Sequence, residues 1–339
     1  MGILRYIILI LSALIFTSCY ETFEPDFNQK PMLCLNSVIK AGEPIELQIS
    51  HTWHYSDYDG LFDHSISDAQ YRIFANGGEV DSDYIPKEGD WIKILALSEK
   101  YGEAEAEVIV PFRPSVNQIQ YKLIPLSLNN GDNEDYKMDF SLDFNLELKV
   151  EISDAGNTED YYHISFKDYS YLWSTSEKKD EIIPGYEKPY ILYDGGILDY
   201  NSEPLFFENA EEMESIYGSP LGFTFFTDRN FSGNSYTLNP LFSSCRYIVK
   251  SEVMNPDLLD CGKEVTLHKV SKSYYDFEYY SLYVEYGVLG NLSDWGYLDP
   301  IWGYSNVSTG AGIVMAESTI TFKISLKDEL EKIMSSLKD

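Results

Sequence analysis

Met138-Asp139-Phe140-Ser141-Leu142-Asp143-Phe144-Asn145-Leu146-Glu147-Leu148-Lys149-Val150-Glu151-Ile152 is the stretch that decides the fold of this chain. Every second residue is apolar, eight in succession, and those between are polar or charged. A period of two sends successive side chains to opposite faces of a strand, and no helical period of 3.6 accommodates it. The stretch therefore reads as a long strand with one buried and one wet face, as in a large antiparallel sheet. After the turn formers Asp154-Ala155-Gly156-Asn157 the alternation resumes at Tyr162, Ile164 and Phe166, which predicts a hairpin.

Upstream, short strand-like runs at residues 33–38, 45–50, 71–74, 91–97 and 104–110 are separated by turn formers such as Ala41-Gly42-Glu43-Pro44 and Asn76-Gly77-Gly78. That spacing predicts an N-terminal immunoglobulin-like β-sandwich over residues 31–113, closed by the stiff joint Pro111-Phe112-Arg113-Pro114. Downstream, strand candidates at 190–193, 223–226, 247–250, 265–270 and 319–326 define a larger antiparallel β-domain over 114–326. Helix is scarce. Residues 208–217 predict a short acidic helix and 271–288 a longer aromatic one. Leu326, Leu330, Ile333, Met334 and Leu337 share one helical face and predict a C-terminal helix over 327–339. The expected class is mainly β with few short helices.

The first residues carry an address. Arg5 precedes the apolar run of residues 6–11, and Phe16-Thr17-Ser18-Cys19 resembles a lipobox, so residues 1–18 are expected to be a signal peptide and Cys19 the lipidated residue. The run is shorter than the roughly twenty residues a bilayer span requires. Two acyl chains would anchor the protein stably, and residues 19–30 then form an acidic tether. The chain beyond that tether is longer than one core normally organises, so two domains are expected.

Acids outnumber bases 55 to 25, a net charge of −30, which argues against nucleic acid or an anionic lipid surface as partner. The 28 tyrosines suit half-buried strands, and a minority suit a flat recognition surface. With Cys19 assigned to lipid, Cys245 and Cys261 flank the turn-like Asn255-Pro256-Asp257 and are expected to bridge, while Cys34 reads as a core thiol.

Catalytic motifs do not emerge. Gly218-Ser219-Pro220-Leu221-Gly222 has the wrong spacing for a nucleophile elbow, and Gly310-Ala311-Gly312 lacks the Lys-Ser/Thr of a phosphate loop. His51 and His54 of His51-Thr52-Trp53-His54 would point to opposite faces of a strand, so they and His64 read as loop histidines. The acidic runs Asp57-Tyr58-Asp59-Gly60 with Asp63 and Asn129-Asn130-Gly131-Asp132-Asn133-Glu134-Asp135 read as solvated turns without EF-hand spacing. No cofactor, metal or catalytic residue is expected. The recognition candidates are Trp53 and Tyr58 in one loop, and Trp295, Tyr297 and Trp302 in another. Rings of this kind serve equally well as core.

One further pattern lies in the C-terminal third. Ser273-Tyr274-Tyr275-Asp276-Phe277 begins an aromatic helix, and Asn306-Val307-Ser308-Thr309-Gly310-Ala311-Gly312-Ile313-Val314 comes after it. With Ser67-Asp68-Ala69-Gln70-Tyr71 and Gly89-Asp90-Trp91 upstream, the chain resembles domain-of-unknown-function family 4249, lipoproteins of Bacteroidota. Val314 departs from the aromatic usual there. The resemblance implies an outer-membrane lipoprotein, accessory to a TonB-dependent nutrient transporter, with no established reaction. Two other functions stay open: a pilus or adhesin subunit, against which Arg72 counts by lying inside a predicted strand, and a surface hydrolase with a carboxylate pair.

Overall fold

The computed structural model describes residues 30–52, 66, 69–129, 140–156, 158–170, 191–207, 223–249, 260–286 and 303–336. Among them the strands are β1 (Leu33–Lys40), β2 (Gln48–His51), β3 (Gln70–Ala75), β4 (Gly78–Val80), β5 (Trp91–Ser98), β6 (Gly102–Ile109), β7 (Ser115–Asn129), β8 (Phe140–Ser153) and β9 (Tyr161–Ser170). They continue with β10 (Ile191–Asp194), β11 (Ile197–Asp199), β12 (Phe225–Thr227), β13 (Ser235–Leu238), β14 (Leu241–Val249) and β15 (Cys261–Val270). Helix α1 (Lys272–Tyr286), β16 (Val307–Ser308), β17 (Ala311–Ser325) and α2 (Lys327–Ser335) complete the set. The protein is mainly β, with several antiparallel sheets and few short helices. No described helix is long and apolar enough to cross a membrane.

The alternating stretch becomes β8, and its apolar set faces inward: Leu142, Phe144, Leu146, Leu148, Val150 and Ile152 are all buried. At about 1.5–3 kcal/mol for each large side chain withdrawn from water, this one face anchors the larger core. β8 pairs with β7 along one side and with β14 and β13 along the other. The predicted hairpin with β9 does not form. β9 instead joins the sheet ordered β12-β9-β15-β17-β1-β2. The loop at 154–160 carries the chain from one sheet to the facing one, and the inward side chains of both strands meet in one core.

β7 escaped sequence reading because its alternation is broken twice, by register shifts at Val116/Gln118 and Pro125/Ser127. As an edge strand it tolerates both the bulges and the proline.

β17 is the strand that organises the rest. Its first half runs parallel to β1, Cys34 opposite Ala311 through Lys40 opposite Glu317. Its second half runs antiparallel to β15, Glu317 opposite Val270 through Ser325 opposite Gly262. Alternation puts its even-numbered residues on one face. Of these, Val314 and Ala316 enter the N-terminal core, and Ile320 and Ile324 enter or line the C-terminal one. One sheet thus floors two cores side by side.

The N-terminal core lies beneath the sheet β16-β6-β5-β3-β4, and its opposing layer is β1, β2 and the first half of β17. It therefore draws Val307, Val314 and Ala316 from beyond residue 300. Asp90 fastens a turn of this unit, accepting from Tyr84 Oη (2.6 Å), Asn76 Nδ2 (2.8 Å) and the Lys87 amide (2.8 Å). α2 conforms to the pattern read from sequence, burying Leu326 and Leu330 against the C-terminal core.

Candidate functional site

The odd-numbered face of β17 looks away from both cores, and the candidate site lies on it. Ile313, Met315 and Glu317 floor a cleft of about 910 Å³ together with Val38 and Lys40 of β1, with Tyr274 of α1 at its side. The lining is mixed: Val38, Ile313 and Met315 are apolar, whereas Asn36, Gln48, Lys40, Glu46 and Glu317 are polar or charged. Glu317, 5% exposed, accepts from His268 Nδ1 at 2.8 Å and approaches Lys40 Nζ at 3.9 Å. His268 Nε2 lies 3.0 Å from Ser165 Oγ. Burial first, then the charges of Glu317 and Glu278, push the Tyr274 hydroxyl up to about 12, so it stays a neutral donor.

Strand register explains why these groups meet. β9, β15 and β17 are consecutive in the sheet, with His163 opposite His268 and His268 opposite Thr319. Ser165, His268 and Glu317 thereby stand on one face of three adjacent strands. The order hydroxyl, imidazole, carboxylate is that of a nucleophilic relay. Its setting is not. Ser165 stands opposite Thr266 inside a regular ladder instead of on a sharp turn that lifts its oxygen. β15 and β17 are interior strands whose amides serve their neighbours, which leaves them no converging donors for an oxyanion. The three groups satisfy one another across the sheet, and of them Glu317 alone lines the cleft.

His163 stands beside the relay. Its ring stacks on Phe225 (4.0 Å, 4°) and lies 4.8 Å from His268, and its Nδ1 is buried without a partner. Burial, with a smaller contribution from His268, lowers its pKa to about 3, so this imidazole is neutral.

Most residues singled out from sequence fall elsewhere. Cys19, Trp53, Tyr58, Trp295, Tyr297 and Trp302 lie outside the described residues, as do His54, His64, the acidic run at 57–63, the second acidic run apart from Asn129, and the helix expected at 208–217. His51 is the last residue of β2, opposite Leu33, and so lies in a strand instead of the expected loop, its ring stacked on Tyr101 (4.4 Å). Cys245 and Cys261 are buried free thiols, so the structure lacks the bridge expected from their spacing. They belong to facing sheets, and Cys245 Sγ donates to the Gly195 carbonyl at 3.1 Å. Burial, the main cause in each case, pushes the thiols up to about 11 and about 12. The relay residues were missed. Tyr162, Ile164 and Phe166 implied that His163 and Ser165 share the opposite face, but nothing local reveals which strand lies alongside.

The motif in the C-terminal third has a structural reading. The Asn306 side chain imitates a strand, donating to the Val314 carbonyl (2.7 Å) and accepting its amide (2.9 Å). Gly312 has φ +103°, and a Cβ there would sit 2.2 Å from the Leu35 carbonyl oxygen. These features define the class: a mainly β protein of packed sheets in which the C-terminal motif builds the β16–β17 turn. The chain belongs to the family described as Domain of unknown function (DUF4249), whose sequence model matches residues 20–322. No curated protein and no solved structure matches it.

Proposed function

We propose that this protein is a lipid-anchored outer-membrane subunit of the Bacteroidota type that binds, without catalysing, beside a TonB-dependent nutrient transporter. The observation that supports binding is the open cleft on the outer face of the six-stranded sheet, where Val38, Ile313 and Met315 lie beside the charged pair Lys40 and Glu317. A concave surface with a few convergent polar groups is the usual form of a recognition site. The sequence ending Thr17-Ser18-Cys19 supports the anchor.

The test uses the full chain expressed in its own membrane. A photo-crosslinking residue at Val38, on the cleft floor, is expected to capture an outer-membrane barrel, and Cys19→Ala is expected to release the protein from the membrane. An unacylated wild-type N-terminus on membrane-bound protein would end the anchor reading. The order of Ser165, His268 and Glu317 raises one rival, a serine hydrolase, against which the regular ladder around Ser165 counts. Labelling by a fluorophosphonate that Ser165→Ala abolishes would replace binding with hydrolysis.

A further inference from the structure

Away from the cleft, three carboxylates converge where the two C-terminal sheets exchange strands. Asp154 comes just after the last residue of β8, Asp160 just before β9, and Asp228 just after β12. One oxygen from each lies within 4.8 Å of the others. Asp160 is 9% exposed and Asp228 1%.

Compensation for this charge is incomplete. Lys269 pairs with Asp160. Asp154 accepts from the amides of Gly156 (2.6 Å) and Gly233 (2.9 Å) and from Tyr162 Oη (3.1 Å), and its carboxyl also meets that of Asp160, which accepts from Thr158 Oγ1 at 3.1 Å. Asp228 Oδ1 accepts the Asp160 amide at 3.1 Å, but Oδ2 is buried without a donor. Arg229, next in sequence, turns outward to Glu159 (2.7 Å). Fully ionised, three carboxylates against one ammonium carry two formal negative charges in a largely dry place. The Asp154–Asp160 contact can relieve one of them with a shared proton, which burial favours by raising the Asp160 pKa. The Asp228 oxygen stays without a partner, and that is costly.

We propose that Asp154, Asp160 and Asp228 hold a calcium ion, which Asp228 Oδ2 ligates. A divalent cation balances the two charges that Lys269 leaves. The donor set is oxygen alone, which suits a hard cation and not zinc. Calcium accepts such irregular, carboxylate-rich sites, whereas magnesium demands near-octahedral order and keeps much of its water. The loops are built to meet here. Gly156 and Gly233 both have positive φ, and a Cβ on Gly156 would lie 2.6 Å from the Gly233 Cα. Bound calcium would tie the end of β8 to β9 and β12, clamping the larger core where the chain changes sheets.

The test measures thermal unfolding of the full chain, stripped with EDTA and then titrated with calcium chloride, alongside terbium luminescence excited through tyrosine. Calcium at a hundredfold excess over its Kd should raise the midpoint by about 5 °C, with magnesium giving much less. Tyr162, bonded to Asp154, should sensitise terbium. Asp228→Asn keeps the shape and removes the charge. It should abolish both responses while melting at or above the calcium-free wild type, because it relieves the uncompensated oxygen. A wild type with no calcium shift would overturn the site, leaving a proton shared among the carboxylates as its occupant. So would a full shift retained in Asp228→Asn, which would place the calcium elsewhere. A variant that melts well below the calcium-free wild type would show that Asp228 stabilises the apo fold, against the reading of Oδ2.

Discussion

The two halves of β17 solve different packing problems with one strand. The first half, beside β1, is built for close approach: Gly310 and Gly312 in the turn and at the strand's start, Ala316 further along, and Ala104 and Ala106 on the sheet above. The second half lies under rings, in a core that includes Phe144, Tyr162, Phe206, Phe226, Phe231 and Tyr247. Backbone nearly touching backbone has no slack, whereas a core of large side chains can adjust rotamers around a change. The N-terminal unit should therefore fail abruptly, and the C-terminal one by degrees.

Gly312→Val is the sharpest way to break that contrast. The new Cβ would meet the Leu35 carbonyl 2.2 Å away, at a φ of +103° that a β-branched residue does not adopt. The expected loss exceeds about 4 kcal/mol, the range of severe single-site effects. It should be confined to the first half of β17 and its partners. Trypsin is expected to cut at Lys93 and Lys100 of the N-terminal unit while the near-ultraviolet signal of the buried aromatics in the C-terminal core persists. Loss of both together would show that the shared strand makes one cooperative unit of the two cores.

The same contrast marks what could be read in advance. β8 was legible because its period is carried by the residues themselves, and so was the inward face of Tyr162 and Ile164. Pairing was not, because alternation names a face and never a partner: β9 and β8 looked like neighbours and lie in opposing sheets. The glycines of the turn at 306–312 stand out in the sequence, and Gly312 takes the positive φ that favours glycine. That the next strand would run alongside β1 was not, since a parallel pairing across nearly the whole chain leaves no local trace. The relay failed to appear for the same reason. Ser165, His268 and Glu317 are more than a hundred residues apart at the extremes and share nothing but register.

Acid probes the second half. His163 carries a pKa near 3 when folded against about 6.5 when free, because burial disfavours its charged form. As pH falls below 6.5 the unfolded chain takes up a proton that the folded one refuses, so stability declines until pH reaches about 3. For one group the loss is up to about 4 kcal/mol. His163→Leu should flatten this acid limb in urea midpoints measured from pH 7 to pH 4, while leaving stability at pH 8 within about 1 kcal/mol. An unchanged limb would mean that His163 charges freely in the fold and that its stack on Phe225 is open to water.

The smallest effect is expected at the residue where the halves meet. Glu317 pairs with Lys40 in the parallel ladder and with Val270 in the antiparallel one, and its carboxylate takes Lys40 on one oxygen and His268 on the other. The Lys40 side chain is 47% exposed, so that ion pair contributes little. The His268 contact is enclosed, and a glutamine oxygen can accept the same Nδ1–H. Glu317→Gln should therefore cost only about 1 kcal/mol, the net value of one hydrogen bond exchanged for a weaker one. Glu317→Ala should cost more, since it strands the His268 nitrogen in a dry place. The informative measurement is hydrogen exchange of the β1 and β15 amides in the glutamine variant. Equal, small losses of protection on both strands fit a joint held by backbone, with the carboxylate aligning His268 toward Ser165. Loss on one strand alone would show that this side chain, and not the ladder, couples the two halves.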